Sequence, residues 1–246
     1  EQDARLLELT HREFIRNGAG LGPEAKSEIA RINEELSSLT TKFGQNLLLS
    51  TKAFTIEVTD EADLAGLSED FKNALKVDGE DKWILTVDRS VYETFMTQSE
   101  NRELRSKLFD GYRLRTSEGE YDNGPTAIRI AQLRARSAEL MGYKSHAHYQ
   151  LETRMAKTPE AAEDFLLSVW EPGLERAQEE LADMQELAGS DFEIAGYDWW
   201  HYAEKVRQDK YAFDDNVLKP YFELGAVRKG AFDVASKLFD ITLEPV

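Results

Sequence analysis

The stretch PEAKSEIARINEELSSLTTKFGQNLLLS, residues 23–50, decides the fold because it carries one apolar stripe along a helical face. The stripe has spacings of three and four residues and consists of Ile29, Ile32, Leu36, Leu39, Phe43 and Leu47. A helix of about 27 residues would span roughly 40 Å at the usual rise per residue. Because a helix of this length crosses a whole domain or bridges two, we expect a mainly α-helical protein built around it.

A small β element is predicted after this helix. Residues 54–58 alternate between apolar and polar side chains, and residues 83–87 form a second run rich in β-formers. Between them, Ser68 is placed to cap a short helix. Two strands alone are marginal in water, so a third strand is sought, and residues 241–243 are the weak candidate. We therefore expect two or three strands.

From residue 91 onward the apolar pattern is almost entirely helical. Ser145 and Thr158 are suited to cap two of these helices, and a proline follows Thr158 at the first helical position. Pro172 and the glycine after it are expected to interrupt the longest of them, with the chain continuing along a new axis. Asp198 is expected to cap a helix that begins at Trp199.

Composition limits the classes of function. The chain has 246 residues, is 41% hydrophobic and 10% aromatic, and carries a formal net charge of −17. This favours a folded protein and disfavours nucleic acid and anionic membranes as partners. The absence of cysteine excludes disulfides, a thiol nucleophile and a cysteine zinc site. No run approaches the length of a membrane span.

Both ends of the chain are expected to be internal to a longer protein. The sequence starts at Glu1 within a helical pattern and stops at Glu244, Pro245 and Val246 without a tail-like composition. No signal peptide is present, but this does not fix the compartment of a longer protein. Cytoplasmic and periplasmic or exported locations therefore both stay open.

The histidines do not form a recognisable metal site. Zinc peptidases use H-E-x-x-H on one helix with a later glutamate, and this pattern is absent. His146 and His148 form H-x-H, and Glu152 follows His148 by one helical turn. A metal site would need a further ligand, so we expect surface or capping histidines at a helix start.

One aromatic cluster stands at a predicted helix start and consists of Trp199, Trp200, His201 and Tyr202. Packing in the core is the default for side chains of this size. The alternative is a patch that lines a substrate channel and contacts peptide. These four residues are the candidate site residues of the chain, and no catalytic or metal-binding residue is predicted.

Several ordered stretches resemble the thimet oligopeptidase, oligopeptidase A and peptidyl-dipeptidase (dipeptidyl carboxypeptidase) family of zinc metallopeptidases, with the peptidyl-dipeptidase branch the most similar. They span nearly the whole chain and read INEELSSLTTKFGQN (32–46), NRELRSKLFDGY (101–112), GYKSHAHYQLETRMAKTPEAAEDFL (142–166), YDWWHYAEKVRQDKY (197–211), LKPYFEL (218–224) and KLFDIT (237–242).

The resemblance implies a mainly α, neurolysin-like scaffold in which two lobes enclose a deep channel with zinc at its floor. It implies that H-E-x-x-H and the later glutamate lie beyond this chain, so that the parent holds zinc and this piece holds none and is inactive alone. The implied substrates are short peptides, from which the peptidyl-dipeptidase branch releases C-terminal dipeptides. The implied partner of this piece is the missing catalytic domain of the same polypeptide.

On this interpretation residues 1–246 are a fragment of a larger peptidase in three segments. Residues 1–52 form a long helical hairpin, residues 53–89 the small β element, and residues 90–246 the helical wall of the substrate channel. The alternative is an acidic helical binding or scaffold module without enzymatic activity, since amphipathic helices suit both. The sequence downstream of Val246 would distinguish them, because H-E-x-x-H there favours the peptidase.

Overall fold

The structure, a computed structural model, describes residues 2–211 and 218–243, and the predicted cut ends at Glu1 and residues 244–246 lie outside these ranges. Within them the protein is mainly α-helical with a two-stranded sheet, as predicted. The helices are α1 Gln2–Arg16, α2 Pro23–Ala53, α3 Glu69–Leu75, α4 Arg89–Gln98, α5 Arg102–Arg113, α6 Gly124–Leu140, α7 His146–Leu151, α8 Pro159–Ala188, α9 Trp199–Tyr211 and α10 Leu224–Phe239. The strands are β1 Thr55–Val58 and β2 Trp83–Thr86.

The long helix α2 packs along α6. Ile29 and Ile32 from the predicted stripe are buried, while the later members of the stripe are half-buried or exposed. Two ion pairs border the contact, Arg129 with Glu35 and Arg136 with Glu28. At 31 residues α2 is roughly 46 Å long, slightly more than predicted. The predicted division into three segments stays a prediction.

The main core forms where the sheet meets α3, α4 and α5. β1 and β2 are antiparallel, with Ile56 opposite Leu85 and Val58 opposite Trp83. Buried side chains from the sheet and the three helices pack against one another in a single cluster. Within it, Leu85, Phe95 and Leu108 are fully buried. Because helices supply the missing hydrophobic cover, the sheet is stable without a further strand.

Two local predictions were wrong. Residues 241–243 form no strand, and both Ile241 and Leu243 are about half-exposed with no strand beside them in the described ranges. Pro172 does not end its helix, since α8 runs unbroken over 30 residues. A proline removes one hydrogen bond of the ladder, and in a long helix the bonds on either side keep the helical path.

Three of the four predicted capping residues act as expected. Ser68, Ser145 and Thr158 each accept a hydrogen bond from a backbone N–H in the first turn of α3, α7 and α8 respectively. Gly18 follows α1 with a φ of 91°, the left-handed conformation that glycine favours at a helix end.

Two helices leave large apolar surfaces uncovered. The first half of α8 exposes a nearly continuous apolar run, Phe165, Leu166, Leu167, Val169 and Trp170. Helix α10 buries none of its residues, and Leu238 and Phe239 are each about 70% exposed. Within the described ranges, no helix is both long enough and apolar enough to span a membrane.

Candidate functional site

The segment that leads into α9 is fixed by a buried carboxylate with two arginine partners. Asp198 is fully buried, and its carboxylate accepts hydrogen bonds from Arg102 at 2.8 Å and from Arg105 at 2.9 Å. It also accepts a bond from the backbone N–H of Ala195 at 3.1 Å. Burial alone opposes ionisation, but these donors outweigh it, so the pKa of Asp198 is lowered.

The predicted role of Asp198 as a side-chain cap was wrong, although α9 does begin at Trp199. The carboxylate bonds to α5 and to the preceding turn, whereas only its backbone carbonyl joins α9, accepting from the N–H of Tyr202. No local pattern predicts this contact, because Arg102 and Asp198 are 96 residues apart. The spacing of Arg102 and Arg105 on one helical face is the only hint available.

Arg102 and Arg105 complete this junction. Arg105 is 2% exposed and also donates to the carbonyl of Ser99 at 2.6 Å and to that of Tyr197 at 3.3 Å. The guanidinium of Arg102 lies 4.1 Å from the ring centroid of Phe192. The start of α9, and with it the candidate aromatic cluster, is therefore held rigidly on α5.

The four candidate residues point in different directions. Trp199 is half-buried between α8 and α9, and Trp200 is 40% exposed on the side of α4 and α5. Tyr202 is half-buried with its ring 6.1 Å from that of Phe192. His201 is buried between them. Their contact with substrate stays a prediction.

His201 is a neutral core residue at ordinary pH. It is 5% exposed, and its Nδ1 lies 3.3 Å from the carbonyl oxygen of Thr97, an atom that can only accept. Burial, reinforced by the charges of Arg105 and Lys205, lowers the pKa of His201 to about 4. In this position it joins α9 to α4.

Trp200 borders an open groove of about 510 Å³ between α4, α5 and the turn before α9. We call this the aromatic groove, and it is lined mainly by Tyr92, Met96, Phe109, Tyr112 and Trp200. The rings of Tyr92 and Tyr112 stack at 4.2 Å, and that of Trp200 meets Tyr92 edge-on at 5.7 Å. Such a groove suits apolar or aromatic side chains of a ligand.

The H-x-H pair does not converge with Glu152. The Nδ1 of His148 lies 2.8 Å from the hydroxyl of Ser145, whereas Glu152 binds Arg16 and the hydroxyl of Tyr143. Across residues 2–211 and 218–243, no group of three or more possible ligands could hold a metal ion. The donor set present there does not fit the zinc site that the resemblance implies.

Comparison with known proteins agrees with the resemblance seen in the sequence. Residues 95–246 match Peptidase family M3. The chain is 34% identical to dipeptidyl carboxypeptidase of Escherichia coli (strain K12), over 98% of this chain and 37% of that protein. It is 33% identical to oligopeptidase A of Salmonella typhimurium, over 94% of this chain and 36% of that protein.

The similarity extends beyond bacteria. The chain is 32% identical to the organellar oligopeptidase A of Arabidopsis thaliana, over its whole length and 33% of that protein. It thus spans little more than a third of the length of the relatives it matches. The matches cover almost the entire sequence. The chain belongs to peptidase family M3.

Proposed function

We propose that this chain is the scaffold and channel-wall portion of a zinc metallopeptidase whose catalytic residues lie in another part of the same polypeptide. The observation that carries the proposal is the match to dipeptidyl carboxypeptidase over 98% of this chain but only 37% of that relative. A portion of this kind would contribute helices and surfaces to the enzyme, while the zinc and its ligands come from elsewhere in the parent.

The exposed apolar faces support this assignment. The first half of α8 and the whole of α10 carry large apolar side chains on surfaces that nothing in the described ranges covers. Soluble proteins rarely leave contiguous apolar patches of this extent uncovered. We propose that the catalytic domain of the parent packs against these faces.

The proposed substrates are short peptides, from which the parent releases C-terminal dipeptides. The name of the bacterial relative, dipeptidyl carboxypeptidase, supports dipeptide release, and the oligopeptidase A relatives support short peptides. Because these relatives are almost equally similar to the chain, product analysis has to decide between the two modes. A peptide with a free C-terminus should lose dipeptides, and its C-terminal amide should resist cleavage. Equal cleavage of both at internal bonds would contradict dipeptide release.

Zinc content and peptidase activity test whether the zinc site and the catalytic residues lie outside this chain. We expect the full-length parent to hold stoichiometric zinc and to cleave short peptides in a chelator-sensitive manner. We expect this chain alone to show neither property. Metal analysis and a peptide-cleavage assay on both forms decide the matter. Stoichiometric zinc together with chelator-sensitive cleavage by this chain alone would overturn the proposal.

We further propose that the aromatic groove is one surface of the peptide channel, with Trp200 as its exposed contact. Of the other three candidates, Trp199 lines a different cleft between α8 and α9, Tyr202 lies against Phe192, and His201 is buried in the core. In the parent, Trp200→Ala should raise KM about fivefold or more with little change in kcat, because truncating a contacting aromatic typically costs more than about 1 kcal/mol. Met155→Ala, at a residue 97% exposed and outside the groove, is the control. If KM is unchanged in both variants, the aromatic groove is not a surface of the peptide channel.

The alternative function is an acidic helical binding or scaffold module without activity. The net charge of −17 is compatible with it. The coding sequence downstream of residue 246 separates the two, since H-E-x-x-H is required by the peptidase and not by the scaffold.

A further inference from the structure

A second concave surface lies away from the aromatic groove, where the end of α1 meets α2, α6 and α7. We call it the four-helix cleft, and its volume is about 460 Å³, within the range of small-molecule sites. The polar side chains that line it include Asn33, Arg134, Ser137, His146, Tyr149 and Gln150. Neither the candidate residues of α9 nor the proposed channel surface contributes to it.

The charge of the four-helix cleft is opposite to that of the chain. Aspartate and glutamate account for 47 of the 246 residues, yet none of the described residues that line the cleft is acidic. Its cations are Arg16 and Arg134. Against a chain of net charge −17, the cleft is a local position where an anion is favoured.

Arg134 is the cation available to a ligand. Within the described ranges its guanidinium has no ion pair or hydrogen-bond partner, whereas Arg136 on the same helix binds both Glu28 and Glu139. The charge of Arg16 is offset by Glu152. The pKa of His146 is lowered, mainly by burial and to a lesser extent by the positive charge of the nearby Arg134.

Other donors in the cleft also have no partner among the described residues. The side chains of Asn33, Ser137 and Gln150 have no hydrogen-bond partner in the part of the chain that the structure describes. By contrast, the cations that line two of the other clefts are paired. Lys210 binds Asp183 beside α9, and Arg89 binds Glu93 in the aromatic groove. Among the described residues, the four-helix cleft thus differs from these two clefts in having a cation and neighbouring donors that are not engaged.

One wall of the cleft is fixed in place. The hydroxyl of Tyr149 donates to the carbonyl of Arg16 at 3.0 Å, and the Arg16 guanidinium donates to the carbonyl of Tyr149 at 2.6 Å. The same guanidinium lies 4.2 Å from the centroid of the Tyr149 ring. Because these reciprocal contacts hold α1 against α7, the wall needs little reorganisation to receive a ligand.

The rest of the lining is apolar. Ile29 is 8% exposed, and Leu36 and Met141 are half-buried beside it. A fully hydrated inorganic anion gains little from such a surface, while a carboxylate attached to an aliphatic group can use both parts. We infer that the four-helix cleft binds a small organic carboxylate with an aliphatic body, held by Arg134 and the neighbouring amides.

The probe for this site is N-acetyl-leucine, with N-acetyl-leucine amide as its uncharged match. Ligand-observed NMR titration of the protein should give saturable binding of the acid and at least about tenfold weaker binding of the amide. Arg134→Gln should weaken binding of the acid about tenfold or more, as expected for the loss of a charge-assisted hydrogen bond. Arg136→Gln, two residues away and outside the cleft, should leave it unchanged.

Inorganic phosphate serves as the third ligand and should bind at least about tenfold more weakly than N-acetyl-leucine. Arg134 is exposed, so its replacement should leave the fold intact, which a thermal melt verifies. Binding of acid and amide with equal affinity, or of phosphate as tightly as the acid, would overturn the inference. The inference would also be overturned if the folded Arg134→Gln variant binds the acid as tightly as the wild type, or if the wild type does not bind the acid at all.

Discussion

At the residue scale, the buried carboxylate of Asp198 holds the start of α9 on α5. A buried carboxylate is tolerated only when its charge is matched and its oxygens are hydrogen-bonded. Arg102, Arg105 and the N–H of Ala195 meet both conditions. Since Arg105 is itself buried, removal of Asp198 leaves a buried charge without its ion-pair partner.

We therefore predict that Asp198→Asn lowers the free energy of unfolding by about 3–5 kcal/mol, the usual cost of breaking a buried pair. A simple helix cap would cost only about 1 kcal/mol. Urea unfolding followed by circular dichroism measures the difference. Glu103→Gln, which removes an exposed carboxylate on the same helix α5, is the matched control and should change the stability by less than about 0.5 kcal/mol. A loss of 1 kcal/mol or less for Asp198→Asn would show that the junction is not stabilising.

His201 predicts a specific pH dependence. Its pKa is about 4 in the folded protein and about 6.5 when unfolded, so the unfolded state binds the proton first as pH falls. The stabilising contribution is complete above pH 6.5 and is lost progressively down to about pH 4, by up to about 3 kcal/mol. Asp198, with its lowered pKa, loses its contribution only at still lower pH.

The measurement is urea unfolding at several pH values for the wild type and for His201→Gln, which has no titrating group at this position. The difference between their stabilities should shrink as pH falls from 6.5 to 4. His146, whose pKa is also lowered, is present in both proteins and cancels in that difference. A difference that stays constant with pH would mean that His201 is not protonated on unfolding.

At the element scale, the turn between the sheet and α3 depends on one glycine. Gly66 has a φ of 88°, and a Cβ built there would lie 2.3 Å from the backbone carbonyl of Gln98. The neighbouring Ala65 carbonyl accepts a bond from the N–H of Glu100 at 2.9 Å, so the two backbones cannot separate freely. Glycine is required both for its conformation and for its lack of a side chain.

We predict that Gly66→Ala lowers the free energy of unfolding by more than about 2 kcal/mol, the sum of left-handed strain and a backbone clash. Gly79→Ala is the matched control, because Gly79 has a φ of 76° but open space around its Cβ. It should cost about 1 kcal/mol from strain alone. Urea midpoints of both variants give the comparison, and equal losses would show that the clash is relieved at no cost.

At the scale of the whole molecule, two forces oppose each other on the surface. The apolar faces of α8 and α10 favour association, and the net charge of −17 favours repulsion between copies. Salt screens the repulsion without weakening the apolar attraction. The balance therefore depends on ionic strength.

We predict that this chain, produced alone, self-associates reversibly and more strongly as salt is raised. Sedimentation velocity over a concentration series measures this. Trp170→Glu, at a residue 65% exposed on α8, should weaken association, whereas Met155→Glu, at an isolated exposed position, should not. A monomer at every concentration and salt level would contradict the prediction.

Features with a local cause can be predicted from the sequence alone. The long helix predicted from the stripe, the caps at Ser145 and Thr158, and the start of α9 at Trp199 were confirmed, because spacing and capping chemistry act within one or two turns. The ordered stretches likewise indicated peptidase family M3, which the comparisons confirmed.

Which distant side chains meet depends on the three-dimensional packing of the helices. The tertiary structure pairs Asp198 with Arg102 and Arg105 and forms the aromatic groove beside Trp200. It also places Arg134 in the four-helix cleft without an ion pair to any described residue. These contacts depend on how the helices cross in space. Asp198, for example, is about 90 residues or more from Arg102 and Arg105 in the sequence. Local sequence periodicity therefore does not predict contacts over such sequence separations.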